Sequence, residues 1–347
     1  TMGKLRASYA QVGQAGDYYE SYYAAPSYGG GFSSGTPILY PINGIASFTP
    51  YSIVYDPNLK PQNTQAIEVG TDLTFWNGLV NLNYTFSRQN VKDQIFEVPL
   101  AASTGYSSLV TNGGKIHTNA HEVTLAVAPY RSGDFKWDFA FNFTKIDNYV
   151  DELAEGVNNI FMGGFVDPQV RAAIGYKFPV IYGVSYLRND AGQIVVDENG
   201  LPQAGAPQVI GKVSPDFNLG FNTNFEYKKV RLSAVLDWKQ GGQMYHGTSN
   251  TLDIYGVTQR SADLRSGDKF LFELPAVKAD GSVNDILINP TPVFDADGNQ
   301  IGADANAYLN ALGNISEAGV RNTSFVKLRE VAVGYPVYQN SKIKVDV

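Results

Sequence analysis

The feature that most constrains this chain is a strict alternation of apolar and polar residues, sustained over long segments that are joined by tight turns. The clearest case is residues 216–227, where one face carries large apolar side chains, interrupted by Thr223, and the other carries mainly asparagine and glycine. Because successive side chains of a β-strand point to opposite faces, this pattern predicts strands with one apolar and one polar face.

Three segments combine this alternation with a turn signal and predict antiparallel hairpins. Asn-Gly is a strong signal for such a turn, and it stands in one of the three. The predicted hairpins are 216–227 with 230–239 around Lys228-Lys229, 67–75 with 80–87 around Asn77-Gly78, and 115–148 around the turn at 131–134. Further strands are predicted at 4–12, around 178–187, at 325–335 and at 342–347.

The lengths of strands and connections favour a membrane barrel. We expect about ten wall strands, several of about 10 to 13 residues, whereas soluble strands average roughly 5 to 6. The three hairpin turns are tight, but long segments lie near 13–60, 98–114 and 241–322. Short turns on one rim and long loops on the other are typical of outer-membrane barrels. The predicted fold class is therefore all-β, an antiparallel transmembrane β-barrel with long extracellular loops.

Composition excludes several other classes of protein. The net charge of -7 argues against a nucleic-acid partner, because phosphate binding needs a concentrated basic surface. The absence of cysteine excludes disulfides, thiolate metal sites and a cysteine nucleophile. No window approaches the ~18 apolar residues of a membrane-spanning helix. The polar faces are rich in asparagine and glycine, which favours a hydrated lumen over the outer surface of a soluble sandwich or propeller.

No motif for catalysis or cofactor binding stands out. The sequence has no nucleophile elbow, Walker loop or dinucleotide fingerprint, so we predict that it is not an enzyme. His117 and His121 lie four residues apart on a predicted strand, about 13 Å, which is too far for one metal ion. The run 295–299 begins like a calcium loop but lacks the closing glutamate, so a surface turn is the prediction there. We expect no cofactor and no metal.

A tyrosine-rich segment is the candidate contact site for substrate or partner. Exposed rings on a loop give rigid contact area for sugar faces or a partner protein, although packing of the rings within the loop is an equal alternative. The candidate residues are Tyr18, Tyr19, Tyr22, Tyr23 and Tyr28.

Several segments, in order along the chain, resemble motifs of the SusC/RagA-like TonB-linked outer-membrane proteins. They are KLRASYAQVG at 4–13, E-V-G-T-D at 68–72, NGGKI at 112–116 with NAHEV at 119–123, FKW at 135–137, GKVSPDF at 211–217, DWKQGG at 237–242 and SFVKLREV at 324–331. One departure is Ala120-His121, where members of this family usually have Lys-Gly; it is a wall position.

The resemblance implies a 22-stranded barrel, of which this chain would form about ten strands. It implies that residues 1–347 are the C-terminal portion of the barrel, with the plug domain and the TonB box absent. It also implies active uptake of oligosaccharides or peptides with a SusD-like surface lipoprotein, and coupling to the TonB complex through the missing N-terminal part. A passive diffusion porin or a barrel adhesin is the alternative, and a soluble glycan-binding β-domain comes third.

Overall fold

The computed structural model describes residues 1–15, 23–24, 27–28, 38–39, 41, 43–46, 49–50, 52–339 and 344–346. Strands are the main elements, as the alternation predicts. The first ten are β1 (Met2–Gln14), β2 (Tyr23–Ala24), β3 (Ser27–Tyr28), β4 (Ile38–Leu39), β5 (Thr49–Pro50), β6 (Ile53–Tyr55), β7 (Gln62–Phe75), β8 (Val80–Pro99), β9 (Ser108–Ser132) and β10 (Phe135–Glu152).

The second half contains shorter strands and the helices. The strands are β11 (Asn159–Gly164), β12 (Gln169–Ala173), β13 (Val180–Tyr186), β14 (Ile194–Val195), β15 (Ala204–Lys212), β16 (Pro215–Tyr227), β17 (Val230–Gly241), β18 (Gln243–Tyr245), β19 (Ala276–Val277), β20 (Val320–Asn322), β21 (Phe325–Gly334), β22 (Pro336–Gln339) and β23 (Lys344–Asp346). The helices are α1 (Gly247–Ile254), α2 (Gln259–Ser266), α3 (Ala305–Gly313) and the 3₁₀ turns Trp76–Gly78, Ala102–Thr104 and Ser316–Gly319. Within the described residues, no helix has the length and apolar character needed to cross a membrane.

One large sheet dominates the fold. Its strands follow the order β1-β7-β8-β9-β10-β16-β17-β21, and each neighbouring pair is antiparallel. β6 lies off this path and pairs in parallel with β9. The three predicted hairpins are confirmed, and β8, β9 and β10 reach 20, 25 and 18 residues, longer than the alternation indicated.

The two edges of the sheet at the strand ends differ as predicted. At one edge, here called the tight rim, residues 76–79, 133–134 and 228–229 connect the hairpins. At the other, the loop rim, the chain leaves the sheet between β1 and β7, β8 and β9, β10 and β16, and β17 and β21. The predicted long loop at 98–114 is wrong, because β8 and β9 pair as far as Pro99 and Ser108 and leave only 100–107 outside.

The pairing register separates an apolar face from a polar face. Two adjacent rows across the sheet, one residue apart along each strand, make this clear. The apolar row is Leu73, Leu82, Leu125, Phe141, Phe221, Leu236 and Leu328. The polar row is Lys4, Asp72, Asn83, Thr124, Asn142, Gly220, Asp237 and Lys327.

The remaining strands form small sheets. The strand predicted around 178–187 exists as β13, but its place in the wall is wrong, because it belongs to a separate sheet with the order β11-β12-β13-β15. Of the strand predicted at 342–347, the described residues Lys344–Asp346 form β23, which pairs with β22. Further two-stranded sheets join β14 with β19, β18 with β20, β2 with β5, and β3 with β4.

Candidate functional site

Two long segments leave the loop rim and pack on each other. They are residues 153–214 and 242–324, here called the loop module. Their shared core is made of side chains that are almost completely buried: Tyr186, Ile194, Val196, Phe272, Ala276, Ile288, Ala303, Tyr308, Leu309, Leu312 and Ile315. A core that takes residues from both segments fixes them as one structural unit, since apolar burial is cooperative and non-directional.

An ion pair joins the two segments beside this core. The guanidinium of Arg188 donates to both carboxylate oxygens of Glu317, at 2.8 and 2.6 Å. The same carboxylate accepts the Tyr186 backbone N–H at 2.9 Å. The hydrogen bond from Arg188 to Glu317 raises the pKa of this guanidinium. A bidentate, partly shielded pair of this kind holds its geometry better than an exposed one.

A second charge cluster lies at the helices. Arg260 of α2 donates to Asp253 and to Glu273, each at 3.0 Å. Burial opposes the charge on Arg260, but Glu273 and Asp253 outweigh it and raise the guanidinium pKa. Burial also raises the pKa of Tyr308 to about 12 and raises that of Tyr186. Both phenols are therefore neutral at physiological pH, and the module has no charged group in its core that is left without a partner among the described residues.

An open cleft of about 730 Å³ lies on the surface of the loop module. Its size falls in the range of small-molecule sites, roughly 300 to 1,000 Å³. The walls are mainly apolar, from Ile194, Leu271, Phe272 and Leu274, and Gln193 and Asn284 add amides. Arg188 and Glu273 contribute one charge of each sign. Such a surface offers apolar contact and amide hydrogen bonds to a neutral polar solute.

The predicted contact tyrosines remain a prediction. Tyr18, Tyr19 and Tyr22 lie outside the described residues. Tyr23 lies in β2 and Tyr28 in β3, within short sheets whose side chains are not described. The cleft escaped sequence reasoning because its lining comes from residues 188–194 and 271–284, which are far apart in the chain and carry no motif.

The two predicted strand histidines point to different partners. His117 Nδ1 lies 2.8 Å from Asp151, and His121 Nδ1 lies 3.0 Å from the Tyr84 hydroxyl. No group of three or more His, Cys, Asp or Glu is placed to hold a metal ion in the described part of the chain. The run 295–299 forms the predicted surface turn, in which Asp295 accepts from the backbone N–H of Asp297 and Asn299 at 2.9 Å each.

The polar face of the large sheet is cross-linked between strands. Arg6 donates to Asp72 at 3.2 Å and to Thr85 at 3.3 Å, so three strands meet at one guanidinium. On the same face, at the far end of the strand order, Arg329 of β21 donates to Asp237 of β17 at 2.6 and 3.1 Å. On a surface that water reaches, each such pair stabilises the sheet by about 1 kcal/mol at most.

The comparisons with known proteins agree with this architecture. The family model "TonB dependent receptor-like, beta-barrel" matches residues 3–253. TonB-dependent receptor P3 of Formosa agariphila is 24% identical over 277 residues, which is 69% of this chain and 27% of that protein. TonB-dependent receptor SusC of Bacteroides thetaiotaomicron is 23% identical over 60% of this chain and 22% of its own length.

Solved structures share the fold. A structure of the RagAB peptide transporter is similar with a TM-score of 0.59 and 18% identity, over 96% of this chain and 34% of that chain. The RagAB peptide importer in its 'open-open' state gives a TM-score of 0.59 at 16% identity. The chain thus spans about a quarter of the length of the curated relatives.

Proposed function

The chain belongs to the TonB-dependent receptor β-barrel family, is SusC/RagA-like and lies in the outer membrane, and from this premise we propose that it serves active import of oligosaccharides or peptides. The observation that carries the proposal is the pair of adjacent rows on the large sheet, one apolar and one polar. The apolar face meets lipid, and the polar face lines a hydrated lumen through which a solute passes.

The loop module is proposed to contact the solute. Because barrels of this class place short turns in the periplasm and long loops outside the cell, the loop rim and its cleft face the medium. A mainly apolar cleft with amides suits a sugar ring or a peptide side chain. The five tyrosines of the 18–28 segment remain further candidates for this contact.

Two partners belong to the proposal. A SusD-like surface lipoprotein would cover the loop rim and capture substrate, as the family resemblance implies. Energy would arrive from the TonB complex through a plug domain of the whole protein. Peptides stand beside oligosaccharides as substrates because one structural relative is described as a peptide transporter. The family's activity is transport rather than catalysis.

Uptake by intact cells tests the transport proposal. Cells with and without the full-length protein would be given a mixture of oligosaccharides and peptides, and depletion of each would be followed by mass spectrometry. We expect one class to be depleted only when the protein is present, and a protonophore to stop the depletion. Depletion that persists with the protonophore would favour a diffusion porin, and cell attachment without depletion would favour an adhesin.

A matched pair of variants tests the role of the cleft. Leu274 lines the cleft and is 40% exposed, while Leu287 is 51% exposed in the same module and does not line it. We expect Leu274→Asp to lower uptake by about fivefold, equivalent to about 1 kcal/mol of binding, and Leu287→Asp to leave uptake unchanged. Equal uptake by the two variants, at equal surface amounts, would exclude the cleft.

A further inference from the structure

On two strands of the wall, β8 and β10, the apolar face ends on the side of the loop rim. Along β10 the residues Phe135, Trp137, Phe139, Phe141 and Phe143 share this face, and the next two positions on it are Lys145 and Asp147. On β8 the apolar positions end at Phe86 and Arg88 follows. On β8 and β10, which flank β9, the change from aromatic to charged residues thus occurs in neighbouring rows.

The height of this change matches the membrane boundary. Lys145 lies ten residues beyond Phe135, which is about 33 Å along a strand. At a strand tilt of about 40° this gives about 25 Å along the membrane normal, the height of the apolar band of outer-membrane barrels. With the loop rim outside the cell, Arg88 and Lys145 lie where the headgroups of the outer leaflet begin.

Both cations keep hydrogen-bonding capacity for a ligand. Within the part of the chain that the structure describes, the exposed Arg88 has a single long hydrogen bond, from Nε to the Asn90 side chain at 3.5 Å. Lys145 Nζ is 3.4 Å from Asp147 and its side chain is 45% exposed. Asp147 also pairs with Lys177, so two lysines share one carboxylate and this cluster carries a net positive charge.

The register brings the two cations within reach of one ligand group. Arg88 faces Asn119 of β9, and Asn119 faces Asp147, two residues from Lys145. Two strand spacings and two residues along the strand separate the Cα atoms of Arg88 and Lys145, about 12 Å. Asn119 lies between them on β9, and its side-chain amide supplies a further donor.

We propose that Arg88, Asn119 and Lys145 bind the phosphate of a phosphorylated glycolipid in the outer leaflet. Charged donors on a phosphate form short, strong hydrogen bonds, and the arginine fork suits its geometry. The aromatic rows directly below offer a surface for the acyl chains, which a soluble anion would not use. The site depends on the membrane position of the wall and not on which solute is imported.

Binding of purified lipid A to the full-length protein in detergent tests the proposal. Lipid A would be titrated with its phosphates or after phosphatase treatment, with native mass spectrometry as the readout. We expect Arg88→Gln and Lys145→Gln each to weaken binding about fivefold, the effect of about 1 kcal/mol per charge near a membrane surface. Lys327→Gln removes a charge from the opposite, polar face and is the control, with unchanged binding expected.

The remaining arms separate the possible sources of phosphate. We expect phosphatase-treated lipid A to bind the unaltered protein more weakly, and millimolar inorganic phosphate not to displace the intact lipid. Equal binding of the two lipid forms, displacement by inorganic phosphate, or equal losses in Lys327→Gln and Lys145→Gln would each overturn the proposal. The phosphatase arm uses the unaltered protein, so it decides the matter even if a variant fails to fold.

Discussion

At the scale of single residues, Thr223 shows what the sequence cannot explain alone. It is the one polar residue that interrupts the apolar face of residues 216–227. In the structure its hydroxyl accepts a hydrogen bond from Trp137 Nε1 at 3.0 Å, and only 8% of the residue is exposed. The sequence shows that Thr223 interrupts the alternation but not why. The reason is a hydrogen-bond donor on the neighbouring strand, which the spacing of residues in the sequence does not identify.

This hydrogen bond leads to a double-mutant prediction. Thr223→Val should lower the free energy of unfolding by about 1 kcal/mol, because the indole N–H then lacks its acceptor on the apolar face. In a Trp137→Phe background the same substitution should cost little, since no donor remains. Guanidinium unfolding of the full-length protein in lipid vesicles measures both. Equal costs in the two backgrounds would show that the bond does not stabilise the wall.

The buried phenol of Tyr308 predicts a pH dependence of the loop module. Its pKa rises from 10.0 to about 12 on folding, so the unfolded chain loses this proton first as pH rises. The stabilisation is complete below pH 10 and falls between pH 10 and 12, by up to about 1.4 kcal/mol for each pH unit.

Scanning calorimetry of the full-length protein between about pH 9 and 11.5 measures this fall. Tyr308→Phe keeps the ring and removes the titration, so the slope of stability against pH should be shallower by about one proton. Tyr186 continues to titrate in both proteins and provides the residual slope. An identical slope in both proteins would contradict the assignment to Tyr308.

At the scale of elements, hairpins were predictable and connections were less so. Each hairpin joins strands with a regular alternation through a recognisable turn, and each is confirmed. The prediction of a long loop at 98–114 was wrong because side-chain contacts hold β8 and β9 together there, although the sequence does not alternate regularly. Asn112 bonds to the backbone of Lys60 and Asp93, and a Cβ at Gly114 would lie 2.3 Å from the Phe96 ring.

In the loop module, local turns could be predicted from the sequence but long-range contacts could not. Its predicted turn at 295–299 follows from local Asn, Asp and Gly chemistry and is confirmed. Its core and cleft join two segments through contacts such as the ion pair of Arg188 with Glu317. No local sequence pattern predicts such a contact. The extent of the segment 153–214 outside the wall was therefore missed.

The turn between β16 and β17 gives a prediction about backbone strain. Lys228 has a φ of 56°, in the left-handed region that a side chain disfavours by about 1 to 2 kcal/mol. Lys228→Gly should raise the free energy of unfolding by up to about 1 kcal/mol. Lys229→Gly, at the adjacent turn position, should lower it through the entropy of the unfolded chain.

Guanidinium unfolding of the two single-glycine variants in lipid vesicles makes the comparison. Both variants remove a lysine charge from the same turn, and Lys228→Gly also removes a cation–π contact with the Tyr227 ring at 5.4 Å, which opposes the expected gain. A gain at Lys228 with a loss at Lys229 is the expected result. Equal changes at the two positions would show that the conformation of Lys228 is not strained.

At the scale of the whole molecule, the two faces of one sheet define the membrane wall. The apolar row, the polar row and the division into a tight rim and a loop rim all follow from the alternation of the sequence. The family motifs strengthened that inference, and the match of residues 3–253 to the barrel family confirmed it. Transport, substrate and partners extend this framework as proposals.

Site-directed labelling along β10 tests the two faces most directly. Residues 1–347 contain no cysteine, and cysteines elsewhere in the full-length protein would be replaced by serine, so that single cysteines at positions 139 to 144 report one position each. In the full-length protein in lipid vesicles, labels at Phe139, Phe141 and Phe143 should be quenched by a lipid-phase quencher. Labels at Ala140, Asn142 and Thr144 should respond to a water-soluble quencher instead. Access of the water-soluble quencher to all six positions alike would contradict a wall with one face in lipid.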